Sequence, residues 1–199
     1  GYQYRVCKEW MVNMGIKKRV ARSSSLPLLA LRGLVVFPGM LLHFDVGRQK
    51  SIQALNASMG ADQIIYLVTQ RDVAQDDPSV EGLYTVGVVA KVRQVLKLPG
   101  DNLRILVEGL YRAGVEEVLQ TEPFLMVAVR ERLERRIAGS LRAQAVMREC
   151  RTYFEEYAQL APKMAPDVSL GVAAAQDAGY LADYIAANIA LPPEEKQDI

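Results

Sequence analysis

The stretch from Leu26 to Lys50, LPLLALRGLVVFPGMLLHFDVGRQK, constrains the fold more than any other part of the chain. An apolar run begins at Leu26, breaks at Gly33, resumes over Leu34–Phe37, turns at Pro38–Gly39 and continues to Val46. Apolar runs this short, bounded by Gly and Pro, read as buried strands rather than as one helix. The same pattern persists to Glu134. Ile64–Thr69 is a compact apolar run. Val86, Val88, Ala90 and Val92 alternate with Gly87, Val89, Lys91 and Arg93, which predicts one apolar and one partly polar face. Pro99-Gly100-Asp101-Asn102 is a strong turn signal. Leu103, Ile105 and Val107 then alternate with more polar neighbours, which completes a hairpin. Phe124–Arg130 is a further strand. Only Arg48–Met59 reads as a helix here, with Ile52, Leu55 and Met59 on its apolar face and Gly60 as its stop. Strands at short spacing around one helix predict a small, partly closed β-barrel or curled sheet.

The period changes near Ile137–Gly139. Ala143, Met147, Cys150, Phe154, Tyr157 and Ala161 alternate at spacings of four and three, the mark of a helix that packs one seam on its neighbours. Pro162 is expected to end it. Pro166 opens a short helix through about Ala175, and Asp177 is a plausible N-cap for the next. Pro193, followed by Glu194 and Glu195, begins a last helix. The chain is expected to stop inside that helix, as a fragment of a longer protein. These changes divide the chain into residues 1–25, 26–134 and 135–199.

Charge is distributed unevenly. The chain of 199 residues has a formal net charge of +1. Residues 1–25 hold six basic residues against Glu9, a net +5, and the remainder carries −4. The first segment is aperiodic and reads as a disordered basic tail foreign to the fold. A targeting arm, a nucleic-acid arm and a mitochondrial transit peptide are the functional alternatives. Deleting it is expected to leave the melting temperature nearly unchanged. No apolar run approaches the ~20 residues that span a bilayer, so no membrane contact is expected. Cys7 and Cys150 are too few for a zinc site and read as two reduced thiols.

Catalytic signatures are missing. Gly82 and Gly87 have the separation of a phosphate loop, but Val88 and Val89 stand where Lys and a hydroxyl residue are required. Lys50 and Ser51 are adjacent, and adjacent helical residues do not face one another. His43 is the lone histidine and reads as a structural or surface residue. Asp72, Asp76, Asp77 and Glu81 lack the spacing of a calcium loop and read as a solvated acidic loop. No catalytic, cofactor-binding or metal-binding residue is assigned.

Several ordered motifs carry a family resemblance. Leu26-Pro27 with Leu31-Arg32, Val36-Phe37-Pro38-Gly39, and Val46-Gly47-Arg48 with Lys50-Ser51 open the series. Leu83-Tyr84-Thr85-Val86-Gly87, Val107-Glu108-Gly109-Leu110-Tyr111-Arg112-Ala113 and Leu181-Ala182-Asp183-Tyr184-Ile185-Ala186-Ala187-Asn188 continue it. Over Leu26–Ile199 the chain resembles the amino-terminal, substrate-recognition domain of the Lon family of ATP-dependent serine proteases. The resemblance implies an α+β fold: a curled β-sheet or pseudo-barrel, PUA-like and of the Lon amino-terminal type, with one helix, then a C-terminal helical bundle. It implies a non-catalytic substrate-recognition and assembly region. The family's ATP, magnesium and Ser–Lys dyad would belong to other parts of the parent protease. The implied partners are unfolded or degradation-tagged proteins and the other subunits of a hexamer. The implied location is a bacterial cytoplasm, with the mitochondrial matrix as alternative.

Capture of unfolded chains needs exposed apolar surface. Phe37 and Met40 beside the Pro38–Gly39 turn, and Leu96 and Leu98 near the hairpin tip, are the substrate-contact candidates. Each is also readable as local core. Arg48 and Lys50 carry the basic helix start and are candidates for peptide or intersubunit contact, or simply solvent-facing charges. The rival function is a free-standing PUA-like RNA-binding module. RNA binding requires a basic surface with stacking aromatics, and the acidic body with 7% aromatic residues argues against it.

Overall fold

The computed structural model describes residues 20–133, 140–161 and 164–199. Six strands form one sheet: β1 (Ser23–Leu31), β2 (Leu41–Val46), β3 (Ile64–Thr69), β4 (Gly87–Lys97), β5 (Leu103–Gln120) and β6 (Met126–Glu131). The order is β2-β5-β4-β3-β1-β6, and β6 also pairs with β5. That last pairing closes β1, β3, β4, β5 and β6 into a ring. Strand β2 stays outside it, paired only with β5.

The length of β5 makes this closure possible. Its first half pairs with β2 and its second half with β6, while β4 runs along Leu103–Ala113. Register shifts interrupt both the β4 and the β6 pairing. Such bulges bend a strand and raise its twist, so one strand can serve two sheet segments. The hairpin between β4 and β5 turns at the expected place, with Gly100 and Asp101 at φ +78° and +60°.

Closure gives the sheet two buried faces. Leu29, Leu31, Ile65, Leu67, Val88, Ala90, Val92, Ile105 and Val107 pack together under β2 and the helix that follows it. Leu28, Ala30, Tyr66, Val68, Val89, Ala113, Val127 and Val129 form a second cluster, drawn from all five ring strands. The expectation that Val89 lies on a partly polar face is therefore corrected: it is fully buried, because the ring closes over that face. Alternation in β4 reports polarity only where one face meets water.

Helix α1 (Gln49–Met59) forms where expected, but buries Ser51, Ala54, Leu55 and Ser58. Met59, assigned to its apolar face, is 38% exposed. The buried stripe is half serine, so hydrophobicity pointed about one residue aside. The Ser58 hydroxyl donates to the Leu55 carbonyl at 2.8 Å, which removes the cost of burying it. Gly60 ends α1 in a right-handed conformation. The left-handed reversal falls later, at Gln63.

Strand β1 starts at Ser23, inside the segment read as a tail. Ser23–Ser25 pair with Arg130–Ala128 of β6, and the Arg22 amide donates to the Glu131 carboxylate at 3.2 Å. Main-chain pairing needs no apolar signal, so three serines gave none. The remainder of the tail through residue 19, including Cys7, lies outside the described residues.

Four helices complete the chain: α2 (Leu141–Leu160), α3 (Pro166–Ala174), α4 (Ala178–Asn188) and α5 (Pro193–Gln197). Ser140 caps α2 and Asp177 caps α4, each side chain accepting from the amide three residues on. Phe154, Val172, Ala175 and Leu181 form a small core that unites α2, α3 and α4. Of the predicted α2 seam, Phe154 is buried, Met147 and Tyr157 are half-buried, and Cys150 is exposed. The first turns of α2 therefore bury little, and Leu141 is 84% exposed. Pro162 and the junction at 134–139 lie outside the described residues. No described helix is long and apolar enough to cross a membrane.

Candidate functional site

Three of the sequence motifs, far apart in the chain, meet where the sheet touches the helices. Arg112 of β5 reaches Asp183 of α4 with both terminal guanidinium nitrogens, at 3.0 and 2.5 Å. The same guanidinium lies 5.8 Å from the centre of the Phe37 ring. The loop carrying Phe37 is fixed to β5: Gly39 donates to the Gly109 carbonyl, and Gly109 donates to the Met40 carbonyl, both at 2.9 Å. A Cβ at Gly109 would collide with the Phe37 carbonyl oxygen, which explains a glycine in the middle of a strand. Tyr180 of α4 packs beside Gly39. At the other end of the helical part, the Gln197 side chain donates to the Val86 carbonyl at 3.1 Å.

This junction corrects one candidate. Phe37 is only 3% exposed, so it cannot meet a partner from solvent. It sits under Arg112 and lines a cavity of about 200 Å3 with Leu67, Val88 and Lys196. An aromatic next to Pro-Gly gives the same sequence signal whether its loop projects or folds back.

The other candidates divide between two places. Leu96 is 47% exposed and Leu98 is half-buried, both near the β4–β5 hairpin tip. Met40 is half-buried at the start of β2. Leu41, which sequence reading placed in a buried run, is 63% exposed. The alternation of Leu41, His43 and Asp45 with Leu42, Phe44 and Val46 would have shown it. All three odd positions face solvent, His43 among them. The exposed face of β2, β5 and β4 thus carries Leu41 and Leu96 among ion pairs. Asp45 meets Arg104 at 2.7 Å, and Glu108 meets Arg93. The hydrogen bond from Arg104 holds the Asp45 carboxyl below its ordinary pKa.

Arg48 and Lys50 form a clasp with the acidic loop. Arg48 donates to the Gln70 side chain at 2.8 Å, to the Asp76 carbonyl at 3.2 Å, and to the Ala30 carbonyl. It thereby satisfies a carbonyl that β1 leaves open beyond β6. Burial, then the nearby Arg32, lowers its pKa. Lys50 pairs with Asp77 at 2.7 Å and Glu122 at 2.8 Å, and these bonds raise its pKa. Arg32 pairs with Asp76 at 2.9 Å. The acidic loop, expected to be solvated, is tied down at two carboxylates, because the cations that meet it lie far away in sequence. A cavity of about 260 Å3 with an apolar floor of Leu28, Ala30 and Leu125 opens between this loop and α1. Among the described residues no cluster of three or more metal-ligating side chains occurs.

The arrangement defines a class: a closed β-ring with a helical unit clasped to it, carrying apolar side chains on a charged face. Residues 25–199 match the model of the ATP-dependent protease La (LON) substrate-binding domain, and the chain belongs to that family. It is 42% identical over 174 residues to a Lon protease of Heliobacterium modesticaldum, covering 87% of this chain and 21% of that protein. It is 45% identical to a Lon protease of Brevibacillus choshinensis, covering 87% and 22%. The chain thus spans about a fifth of the length of the relatives it matches. Its fold is similar to the N-terminal domain of Mycobacterium avium complex Lon protease, with a TM-score of 0.70, 22% identity and 88% of each chain covered. A Lon N-terminal domain protein from Xanthomonas campestris matches with a TM-score of 0.60, at 14% identity and the same coverage.

Proposed function

We propose that this chain is the region of an ATP-dependent Lon protease that captures unfolded or degradation-tagged proteins and helps organise a hexamer, and that it performs no chemistry itself. The match of residues 25–199 to a substrate-binding domain carries the reading. ATP and magnesium would act, and peptide bonds would be cut by a Ser–Lys dyad, in parts of the protease outside this chain. In this reading the ring is PUA-like, the helices form a bundle, and the protein works in a bacterial cytoplasm. Capture uses Met40, Leu41, Leu96 and Leu98. Each apolar contact is weak, and repetition over several subunits raises the total by avidity. Arg48 and Lys50, engaged within the chain, shape the surface around α1 rather than offering free charge.

RNA binding has no comparable support. Arg32, Arg93, Arg104 and Arg130 each meet a carboxylate, so these four cations are engaged within the chain rather than open to phosphates. The test is a titration of a reduced, carboxymethylated protein and of single-stranded RNA at low and high salt. Binding of the unfolded protein that survives salt, and weakens when Met40, Leu96 and Leu98 are replaced by Ser, supports capture. Salt-sensitive binding of RNA alone contradicts it.

A further inference from the structure

Strand β2 stands outside the closed ring and has β5 on one side only. Its register identifies the free groups. Leu41–Val46 pair with Glu108–Leu103 without a shift, and the Gly109 amide donates to the Met40 carbonyl opposite. Hydrogen-bonded and non-hydrogen-bonded pairs alternate along an antiparallel ladder. Leu42, Phe44 and Val46 therefore bond to β5, while the amides and carbonyls of Leu41, His43 and Asp45 point away from it. No other backbone hydrogen bond among the described residues takes these groups up.

Exposed edges are usually blunted by proline, lysine, a bulge or a covering element. Between Leu41 and Val46 there is no Pro and no Lys, and the pairing has no bulge, although those of β4 and β6 with β5 do. Between β1 and β2 lies a groove of about 350 Å3, with Leu31, Leu34 and Phe44 among its apolar lining and Arg32, Arg48 and Asn102 among its polar lining.

We propose that the free edge of β2 takes up an extended segment of unfolded polypeptide as an added strand. The proposal rests on the capture reading above and names how capture occurs. The occupant follows from the donors and acceptors offered. Three residues present alternating amides and carbonyls, and the charged side chains beside the groove are engaged, Asp45 by Arg104, Arg32 by Asp76, and Arg48 by Gln70 and two carbonyls. Another extended main chain matches that row; unfolding exposes such chains along their whole length, whereas a folded protein offers one only at a sheet edge. Alternate residues of the added strand enter the groove against Leu34 and Phe44, and the others lie beside Leu41 and His43 on the solvent face. The edge thus selects segments free of proline with apolar residues at every second position, and reads little else of their sequence.

The test uses the whole chain and a fluorescein-labelled peptide of about eight residues, alternating Val and Thr with a Lys at each end, a length that spans one strand. Two further peptides carry N-methyl groups on one or the other alternate set of amides. One methylated isomer is expected to lose at least about tenfold in affinity, the other to bind as the parent peptide does. Equal affinity of both isomers, whether kept or lost, overturns the proposal. On the protein side, His43→Pro removes one outward amide and no bond to β5, and proline is tolerated at sheet edges. With circular dichroism unchanged, it is expected to weaken both the peptide and a carboxymethylated protein by about tenfold. Undiminished binding by a folded His43→Pro chain overturns the edge while leaving capture intact. Absence of any binding by the parent chain overturns both. If the variant does not fold, the methylated pair decides.

Discussion

Single residues at the centre of this fold are chosen for what cannot be added to them. Gly109 lets the Phe37–Pro38 backbone lie against β5, and the collision is with backbone rather than a movable side chain. Gly109→Ala is expected to cost about 2 kcal/mol or more, read as a lower urea midpoint. A midpoint within experimental error of the parent would show that the loop gives way. Tyr66 is fully buried and donates from its hydroxyl to the Ala113 carbonyl at 3.1 Å. Burial pushes its phenol well above the ordinary value of 10. The unfolded chain loses this proton near pH 10 and the folded chain resists, so stability falls as pH rises from 10 toward the folded value. Tyr66→Phe is expected to cost about 1 kcal/mol at pH 7 and to make the loss above pH 10 shallower. Denaturant melts at pH 7, 10 and 11 check both parts; an alkaline slope identical to the parent's would contradict the second.

At the level of elements, local pattern and non-local pairing were not equally legible. The hairpin between β4 and β5, the helix after Arg48 and the Asp177 cap follow from turn residues, period and capping chemistry, all carried within a few positions. The ring closure does not, because it depends on β6, already paired with its neighbour β5, also meeting β1 across about a hundred residues of chain. The candidate site was legible in the same unequal way. The exposure of Leu96 and the partial exposure of Leu98 follow from their place near the hairpin tip. Phe37 was misplaced, since burial of a loop aromatic depends on Arg112 and Gly109 far downstream. Arg48 and Lys50 were recognised as basic positions, but their partners lie in loops that no local signal brings near. Ser23–Ser25 were overlooked because main-chain pairing has no hydrophobic signature. A chain that starts at Leu26 is accordingly expected to melt about 5–10 °C below one that starts at Val20. It loses three pairings to β6 and the Arg22 contacts with the buried Glu131. Coincident melting curves would show that β1 begins, in effect, at Leu26.

At the scale of the whole molecule, the Arg112–Asp183 pair joins the β part to the helices. Both side chains are largely out of water, at 21% and 7% exposure. Asp183→Ala takes both charge-assisted hydrogen bonds from Arg112 and is expected to cost about 3 kcal/mol, whereas replacing both residues with Met and Leu is expected to recover part of that loss. Equilibrium unfolding of the three variants measures it; an Asp183→Ala chain as stable as the parent would mean that the helices are held otherwise. Family motifs gathered at this junction serve the relative placement of the two parts. The proposed binding surface lies elsewhere, on β2 and the hairpin.

The central claim, that this chain recognises the unfolded state of its partners and does no chemistry on them, is tested most directly by titrating it against one protein in two forms. Native α-lactalbumin and its reduced, carboxymethylated form share a sequence and differ in what they expose. Saturable anisotropy with the unfolded form at roughly micromolar strength, none with the native form, and an intact partner afterwards are the expected results. Equal binding of both forms, or of neither, would contradict the account.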